Sequence, residues 1–262
     1  MAPTSGASTS GPDPAIPTVP AVPGVPDNGD AGGKIGAVVV AAGSSSRMGG
    51  IDKIFAPLLG IPLLAHVLDQ LENFNPLDQI ALVLGQSSVE RGLELVRQRG
   101  YRKVTQVCAG GERRQDSVRN GLNALSSCQW VIIHDGARPC LDEPMLQRGL
   151  EAARESGAAA AGVPVKDTIK VVSAQGMVSE TPSREGLWAA QTPQVFRYSL
   201  LWEAHQTCTG TVTDDAAMVE TVGGQVKMFL GSYENLKVTT PEDLDIAGLL
   251  LQRRRGAGPI RH

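Results

Sequence analysis

Three stretches of the chain set charged side chains beside residues small enough to let the backbone approach a ligand. They are AAGSSSRMGGIDK at 41–53, AGGERRQDSV at 109–118 and HDGARP at 134–139. In the first, Gly43 and Ser44 to Ser46 offer a run of unobstructed backbone N–H groups suited to an anion. Arg47 and Lys53 can then close over phosphates, the guanidinium as a fork and the ammonium as a mobile point charge. The stretch is neither a Walker A loop nor a G-x-G-x-x-G fingerprint, and an ordinary solvated strand-to-helix loop is its alternative reading. In the second stretch Gly110 and Gly111 again permit close backbone approach, and Ser117 can hydrogen-bond a base or sugar from the first turn of the following helix. A turn followed by a helix cap is the alternative there. The third delivers Asp135 from a buried strand to where a carboxylate beside a polyphosphate can hold Mg²⁺. Arg138 can neutralise a second anion, and His134 reads as a packed structural histidine rather than a base.

Each stretch follows an apolar strand. From Ile35 the chain alternates IGAVVVAA, QIALVL, KVTQVC and WVIIHD with amphipathic segments, the mark of right-handed crossovers and a mostly parallel sheet. The helical segments open at Pro62, Val89, Asp116 and near Glu143; AAAAGVPV, LWAAQTP and QVKMFLG add strands, YSLLWEAHQ and DDAAMVETV add helices, and a last helix begins at Pro241. KDTIKVV and GMVSETPS form a two-stranded excursion turning at Ala174 to Gly176. The expected fold is α/β: a Rossmann-like, mostly parallel sheet with helices on both faces and a protruding two-stranded arm at about 166–186. In such sheets ligands sit at the carboxyl ends of the strands. A dinucleotide site would also need an acid near the end of the second strand, and ALVLGQSS supplies none.

The chain has 262 residues, 42% of them hydrophobic, which suits one substantial core. Its net charge of −3, with both signs interspersed, lacks the basic footprint of a nucleic-acid binder. Cys108, Cys128, Cys140 and Cys208 form no C-x-x-C pair, which argues against a zinc knuckle and fits a reducing compartment. No apolar run approaches the roughly 20 residues of a membrane span. Residues 1–33 carry no Lys or Arg, so they lack the cationic start of a secretory signal. The expected location is the cytoplasm, with no membrane and no nucleic-acid partner. Residues 1–33 are Pro-, Gly- and Ala-rich and read as a disordered tail, 34–253 as the folded domain, and 254–262 as a flexible basic terminus.

Together, "AAGSSSRMG…DK", "GGERRQDSV", "HDGARP", "DTIK", "GLWAAQTPQ", "TDDA" and "NLKVTTPEDL" resemble, in order and spacing, the 2-C-methyl-D-erythritol 4-phosphate cytidylyltransferases of the non-mevalonate isoprenoid pathway. The resemblance implies a nucleotidyltransferase fold, CTP and a polyol phosphate as substrates, pyrophosphate release and a Mg²⁺ requirement. It places Arg47 and Lys53 on the triphosphate. It assigns Ala41, Ala42, Gly43, Ser44, Gly110, Arg114 and Ser117, with Asp135, to CTP, and Asp135 also to the metal. For the second substrate it implies Asp135, Arg138, Thr168, Arg184, Thr213 and Lys237, with Arg184 and Lys237 positioning the attacking phosphate. The chemistry agrees with the residue types: a phosphate monoester has a second pKa of about 6, so it is already ionised at neutral pH and needs no activating base. Positioning and charge neutralisation suffice.

Departures from the pattern are Ser45 where many relatives have Gly, and DKI where they have PKQ, which sets Asp52 beside Lys53. Glu234 is read as a surface carboxylate rather than a second metal ligand. Ribitol-5-phosphate cytidylyltransferase shares the first loop and the metal aspartate and is the competing family; HDGARP and LWAAQTPQ favour the erythritol enzyme. A catalytically silent nucleotide sensor is the alternative of another class, and the intact Arg47, Lys53 and Asp135 speak against it. By the same resemblance the arm embraces a second subunit in a homodimer; a hairpin folded back on its own domain is the alternative.

Overall fold

The alternation that defines the sheet is visible residue by residue. In the computed structural model, which describes residues 33–43 and 52–256, strand β1 (Ile35–Ala41) points Ile35, Ala37, Val39 and Ala41 into one core and Val38 into another. Strand β4 (Gln79–Leu84) and strand β6 (Trp130–Asp135) divide in the same way, with Ile80, Leu82, Leu84, Trp130 and Ile132 on the first face and Ala81, Val83, Val131 and Ile133 on the second. A period-two side-chain pattern that is apolar on both faces requires cover on both.

Between β1 and β4 a short ribbon of β2 (Pro57–Leu58) and β3 (Ile61–Pro62) leads into helix α1 (Leu63–Asn73). Pro62, expected to open the helix, ends the ribbon and stands one position before the first helical turn. Helix α2 (Val89–Arg99), strand β5 (Val104–Ala109) and helix α3 (Arg114–Ala124) follow before β6. Helix α4 (Glu143–Ser156) is capped by Asp142, whose carboxylate accepts from Met145 N at 2.9 Å, and is closed by Gly157 in the left-handed region. Strand β7 (Ala158–Pro164) leads to the arm, β8 (Val171–Val172) and β9 (Val178–Glu180). Strand β10 (Trp188–Arg197), helices α5 (Tyr198–Thr207) and α6 (Asp215–Thr221), strand β11 (Lys227–Leu230) and helix α7 (Pro241–Gly256) complete the described chain.

The strands lie in the order β11-β7-β10-β6-β1-β4-β5, all parallel except β10, which runs antiparallel to both its neighbours. The chain winds outward from β1 through β4 to β5, then returns to place β6 on the other side of β1. That reversal makes the carboxyl ends of β1 and β6 the switch point where an open α/β sheet binds its ligand. One face packs against α1, α2 and α4 and the other against α3, α5 and α6. A third, smaller cluster joins Leu58, Leu63, Cys140, Val238 and Ala247, seating α7 on the β2–β3 ribbon.

The arm leaves at the end of β7 and returns at the start of β10. It therefore projects from the same edge as the switch point. Its turn closes with Gly176 N donating to Ser173 O (3.0 Å) and Ser173 N to Met177 O (2.9 Å), Gly176 taking φ +79°. Residues 254–256, read from sequence as part of a frayed basic end, continue α7. Arg254 donates to Cys140 O (2.8 Å) and to Glu234 Oε2, and Arg253 also pairs with Glu234. The expected tail up to residue 32 and residues 257–262 lie outside the described residues.

The close approach of α3 to the sheet depends on Gly121, where an added Cβ would stand 2.3 Å from Val38 Cγ1 and 2.9 Å from Val83 Cγ2. Both neighbours are stiff, β-branched and fully buried. Gly121→Ala should overpack this layer and cost about 1–3 kcal/mol, read as a drop of several degrees in melting temperature.

Candidate active site

The carboxyl edge of the sheet gathers most of the residues singled out from sequence. Ala41 ends β1, and Val40 pairs in register with Asp135, so the two strand ends are adjacent. Gly136 N donates to Val40 O at 2.9 Å; a Cβ at Gly136 would stand only 2.9 Å from that of Ala41. Small residues here keep the two turns in contact. The same holds for the second loop: a Cβ at Gly110 would lie 2.3 Å from Ala42 Cβ and 2.6 Å from Ser117 Oγ, and Gly111 N donates to that hydroxyl at 3.1 Å. Ala41, Ala42, Gly110, Ser117 and Asp135 thus line one edge, with Gly43 next along the chain. Ser44 and Arg47 lie outside the described residues.

Lys53 opens a short helical turn, Lys53–Phe55, that packs Ile54 and Phe55 into the core below. Asp52, which sequence marked as a departure, accepts from Ile54 N at 3.3 Å and from Ser88 Oγ at 3.0 Å. It therefore fastens the Lys53 turn to the loop after β4.

Asp135 is the centre of charge. It is 6% exposed, yet three cations converge on it: Lys237 Nζ at 2.8 Å, Arg114 Nε at 3.4 Å and Arg138 Nε at 3.7 Å. Burial works to raise its pKa, but Arg114, Lys237 and Arg138 outweigh burial and hold the carboxyl well below the usual range. Sequence motifs far apart in the chain meet here because β6 ends, α3 begins and the loop before α7 passes at one edge. Arg114 bridges further, donating to Asp215 Oδ2 at 2.7 Å. Arg138 donates to Asn235 O at 2.7 Å, tying HDGARP to the NLK loop that carries Lys237.

Below this cluster lies a polar scaffold not anticipated from the sequence. Strand β10 shifts register between Ala190 and Gln194, which frees Gln191 and Thr192 from the ladder. Asp135 N donates to Thr192 Oγ1 at 3.0 Å, leaving the hydroxyl proton to donate to His134 Nδ1 at 3.2 Å. The Nε2–H tautomer of His134 then donates to Arg138 O at 3.2 Å. Asn235, fully buried, donates to Thr192 O at 2.8 Å and to Gln191 Oε1 at 3.3 Å. Gln194 donates to Asp214 Oδ2 at 2.8 Å and accepts from Ala216 N at 3.1 Å, seating α6. The available signal was QTPQ, a polar run inside a strand otherwise buried from Gln191 to Phe196.

Thr213 lies just before α6 in a loop held by Gln115, which accepts from Val212 N (3.3 Å) and donates to Gly210 O (3.0 Å). Thr168 and Arg184 are exposed on the arm, where Arg184 donates to the carbonyl of Lys166. Within this chain the arm residues are therefore not drawn into the Asp135 cluster as Lys237, Arg114 and Arg138 are. Glu234 pairs with Arg253 and Arg254, in keeping with a surface carboxylate. Among the described residues no group of three or more His, Cys, Asp or Glu is placed to hold a metal.

A mostly parallel sheet with charge collected at its β1/β6 switch point, and an arm rising from the same edge, is the architecture of the nucleotidyltransferases. The comparison with known proteins narrows it. Residues 35–253 match the family model described as 2-C-methyl-D-erythritol 4-phosphate cytidylyltransferase. A protein of that name from Dehalococcoides mccartyi is 51% identical over 222 residues, covering 85% of this chain and 98% of the relative. One from Desulforamulus reducens is 45% identical over 228 residues, with 85% and 97% covered. The crystal structure of 4-diphosphocytidyl-2C-methyl-D-erythritol synthase from Anaerococcus prevotii superposes with a TM-score of 0.74 at 29% identity, covering 84% of this chain and 99% of that one. The cytidylyltransferase of Thermus thermophilus gives 0.68 at 30% identity, with the same shares. The chain belongs to the 2-C-methyl-D-erythritol 4-phosphate cytidylyltransferase family.

Two buried imidazoles near the site carry a pH signature. Burial pushes His134 down to about 4 from 6.5, and burial, with Arg119 and Arg114 nearby, does the same to His205. Below pH about 6.5 the unfolded chain takes up a proton at each ring, and the folded protein does not until about pH 4. Their stabilisation is therefore complete above that window and is lost as pH falls through it, on the order of 1–3 kcal/mol each. Urea titrations between pH 7 and 4 should show falling stability. The slope should flatten in His205→Gln, which removes one of the uptake sites.

Proposed function

We propose that the protein joins CTP to 2-C-methyl-D-erythritol 4-phosphate, giving 4-diphosphocytidyl-2-C-methyl-D-erythritol and pyrophosphate. The observation that carries this reading is the family match over residues 35–253 on a chain whose matched motifs converge at the sheet's switch point. An oxygen of the polyol's phosphate attacks the α-phosphorus of CTP. A new P–O bond forms while the α–β bridging bond breaks, and its electron pair leaves with pyrophosphate. The attacking phosphate is an anion at neutral pH, so the site needs no general base. The neutral, buried His134 is consistent with that economy.

Catalysis then rests on holding two anionic substrates in line and stabilising charge that spreads over equatorial and leaving oxygens. Lys53, and Arg47 by family resemblance, serve the triphosphate. The small residues Ala41, Ala42, Gly43, Ser44 and Gly110, with Arg114 and Ser117, serve the nucleotide. Asp135 fits a Mg²⁺ ion held mainly by phosphate oxygens, because that ion keeps its waters and takes only one or two carboxylates from the protein. Bound there, Mg²⁺ would neutralise triphosphate charge. Arg138, Thr213 and Lys237 from the globular body, and Thr168 and Arg184 from the arm, serve the polyol phosphate. Lys237 is well placed for this role, since its ammonium is held at the mouth of the site by Asp135.

Pyrophosphate release should require CTP, methylerythritol phosphate and a divalent cation, with UTP and ribitol 5-phosphate far poorer. Equal or better turnover of ribitol 5-phosphate would move the chain to the competing activity. Lys53→Ala should cost about 10²- to 10³-fold in kcat, the usual loss for one preorganised electrostatic group.

The arm supports a homodimeric assembly. A two-stranded ribbon is marginal alone in water, and Val171, Val172, Met177 and Val178 are all at least 46% exposed in the single chain. If the arm crosses to a second copy, Thr168 and Arg184 serve the partner's site. Mixing Arg184→Ala and Asp135→Ala proteins under subunit exchange should then restore activity, because each heterodimer holds one intact site. Heterodimers that form and stay inactive would rule out shared sites.

A further inference from the structure

Asp215 is the most deeply buried carboxylate near the site, at 1% exposure, and it opens α6 rather than any of the ligand-facing loops. Its Oδ2 accepts from Arg114 at 2.7 Å, while its Oδ1 has no hydrogen-bond partner. His205 Nε2 stands 4.0 Å from Oδ1, and that imidazole is neutral at physiological pH, so the contact is not an ion pair. Burial raises the pKa of the Asp215 carboxyl, and Arg114 is the cation that works against that rise. Leaving a buried carboxylate with one partner is costly, so its retention here calls for a role.

What depends on it is the direction of Arg114. The guanidinium lies 2.7 Å from Asp215 but 3.4 Å from Asp135, so its stronger bond points away from the open edge. Around Asp135 the balance is three cations, Arg114, Arg138 and Lys237, against two carboxylates, Asp135 and Asp215. Removing the charge of Asp215 would leave three against one, with Arg114 free to turn fully onto Asp135.

We propose that Asp215 is a positioning residue: it draws the Arg114 guanidinium away from Asp135 and offsets its charge, so that Asp135 stays available to a divalent cation. This rests on the reading of Asp135 as the metal carboxylate. Its effect reaches the metal only through Arg114, which no single sequence motif contains together with it.

The test is Mn²⁺ binding to the full chain with CTP and no polyol phosphate, followed by the electron paramagnetic resonance of free Mn²⁺. Asp135→Asn serves as the reference, and folding is checked by thermal melting. Asp215→Asn should weaken Mn²⁺ binding about 10-fold, as expected when a partner behind a metal ligand is lost. The double variant Arg114→Gln, Asp215→Asn replaces the ion pair with two neutral amides; because Arg114 also serves the nucleotide, it is titrated at a CTP concentration that saturates the variant, where it should bind Mn²⁺ at least as tightly as the parent. A folded Asp215→Asn protein with unchanged Mn²⁺ affinity, beside a weakened Asp135→Asn, would overturn the inference and leave the metal reading standing. Parent-like affinity in Asp135→Asn would overturn the metal reading itself. If Asp215→Asn does not fold, the double variant decides: weakened binding there overturns the inference.

Discussion

A single buried carboxylate, Asp135, sets the terms for the rest of the molecule. Held out of water at the end of β6, it would be driven toward its neutral form; Arg114, Lys237 and Arg138 keep it charged. Those three come from α3, from the loop after β11 and from the turn after β6, so the charge at one strand end fastens three separate parts of the chain. Each cation is in turn held by something else: Arg114 by Asp215, Arg138 by the Asn235 carbonyl, and Lys237 by the chain that Asn235 anchors to Thr192. The site is thus a balance of compensated charges in a low-dielectric setting. Such a balance suits chemistry in which the reacting groups are all anions and electrostatic fit is the main contribution to rate.

The sheet makes this economical. With β6 beside β1, two strand ends and their turns are brought within backbone hydrogen-bonding distance, and the loop after β5 is pressed against Ala42. Glycine and alanine at the junctions are what allow it. The one antiparallel strand, β10, contributes differently: its register shift brings Thr192 and Gln191 out of the ladder and under Asp135.

The arm and the first loop show the two ways in which a sequence can be read without a fold. The arm was legible as a ribbon because Ile169, Val171 and Val172 on one side and Met177 and Val178 on the other flank a turn at Ala174 to Gly176, and it is one. Asp52, by contrast, could be seen only as an acid next to an important lysine. The fold makes it a tether, because it reaches Ser88 from a neighbouring loop. Likewise Arg254 belonged by composition to a frayed basic end. Its burial against Cys140 O depends on where α7 lies.

By itself the sequence determined the strands, the helices, the sheet's dominant direction and the ligand edge, because period-two and 3.6-residue apolar patterns and small-residue loops are local properties. It also placed Asp135, Arg138 and Lys237 among the functional candidates through motifs whose order and spacing are specific to a family. Only the tertiary structure decided the polar scaffold of His134, Thr192, Gln194, Asp215 and Asn235. These residues look like ordinary core or loop polar groups in one dimension, and their roles lie in hydrogen bonds spanning 22 to 101 residues of chain. A buried polar atom must find a partner wherever the fold brings one, and that partner is not written next to it in the sequence.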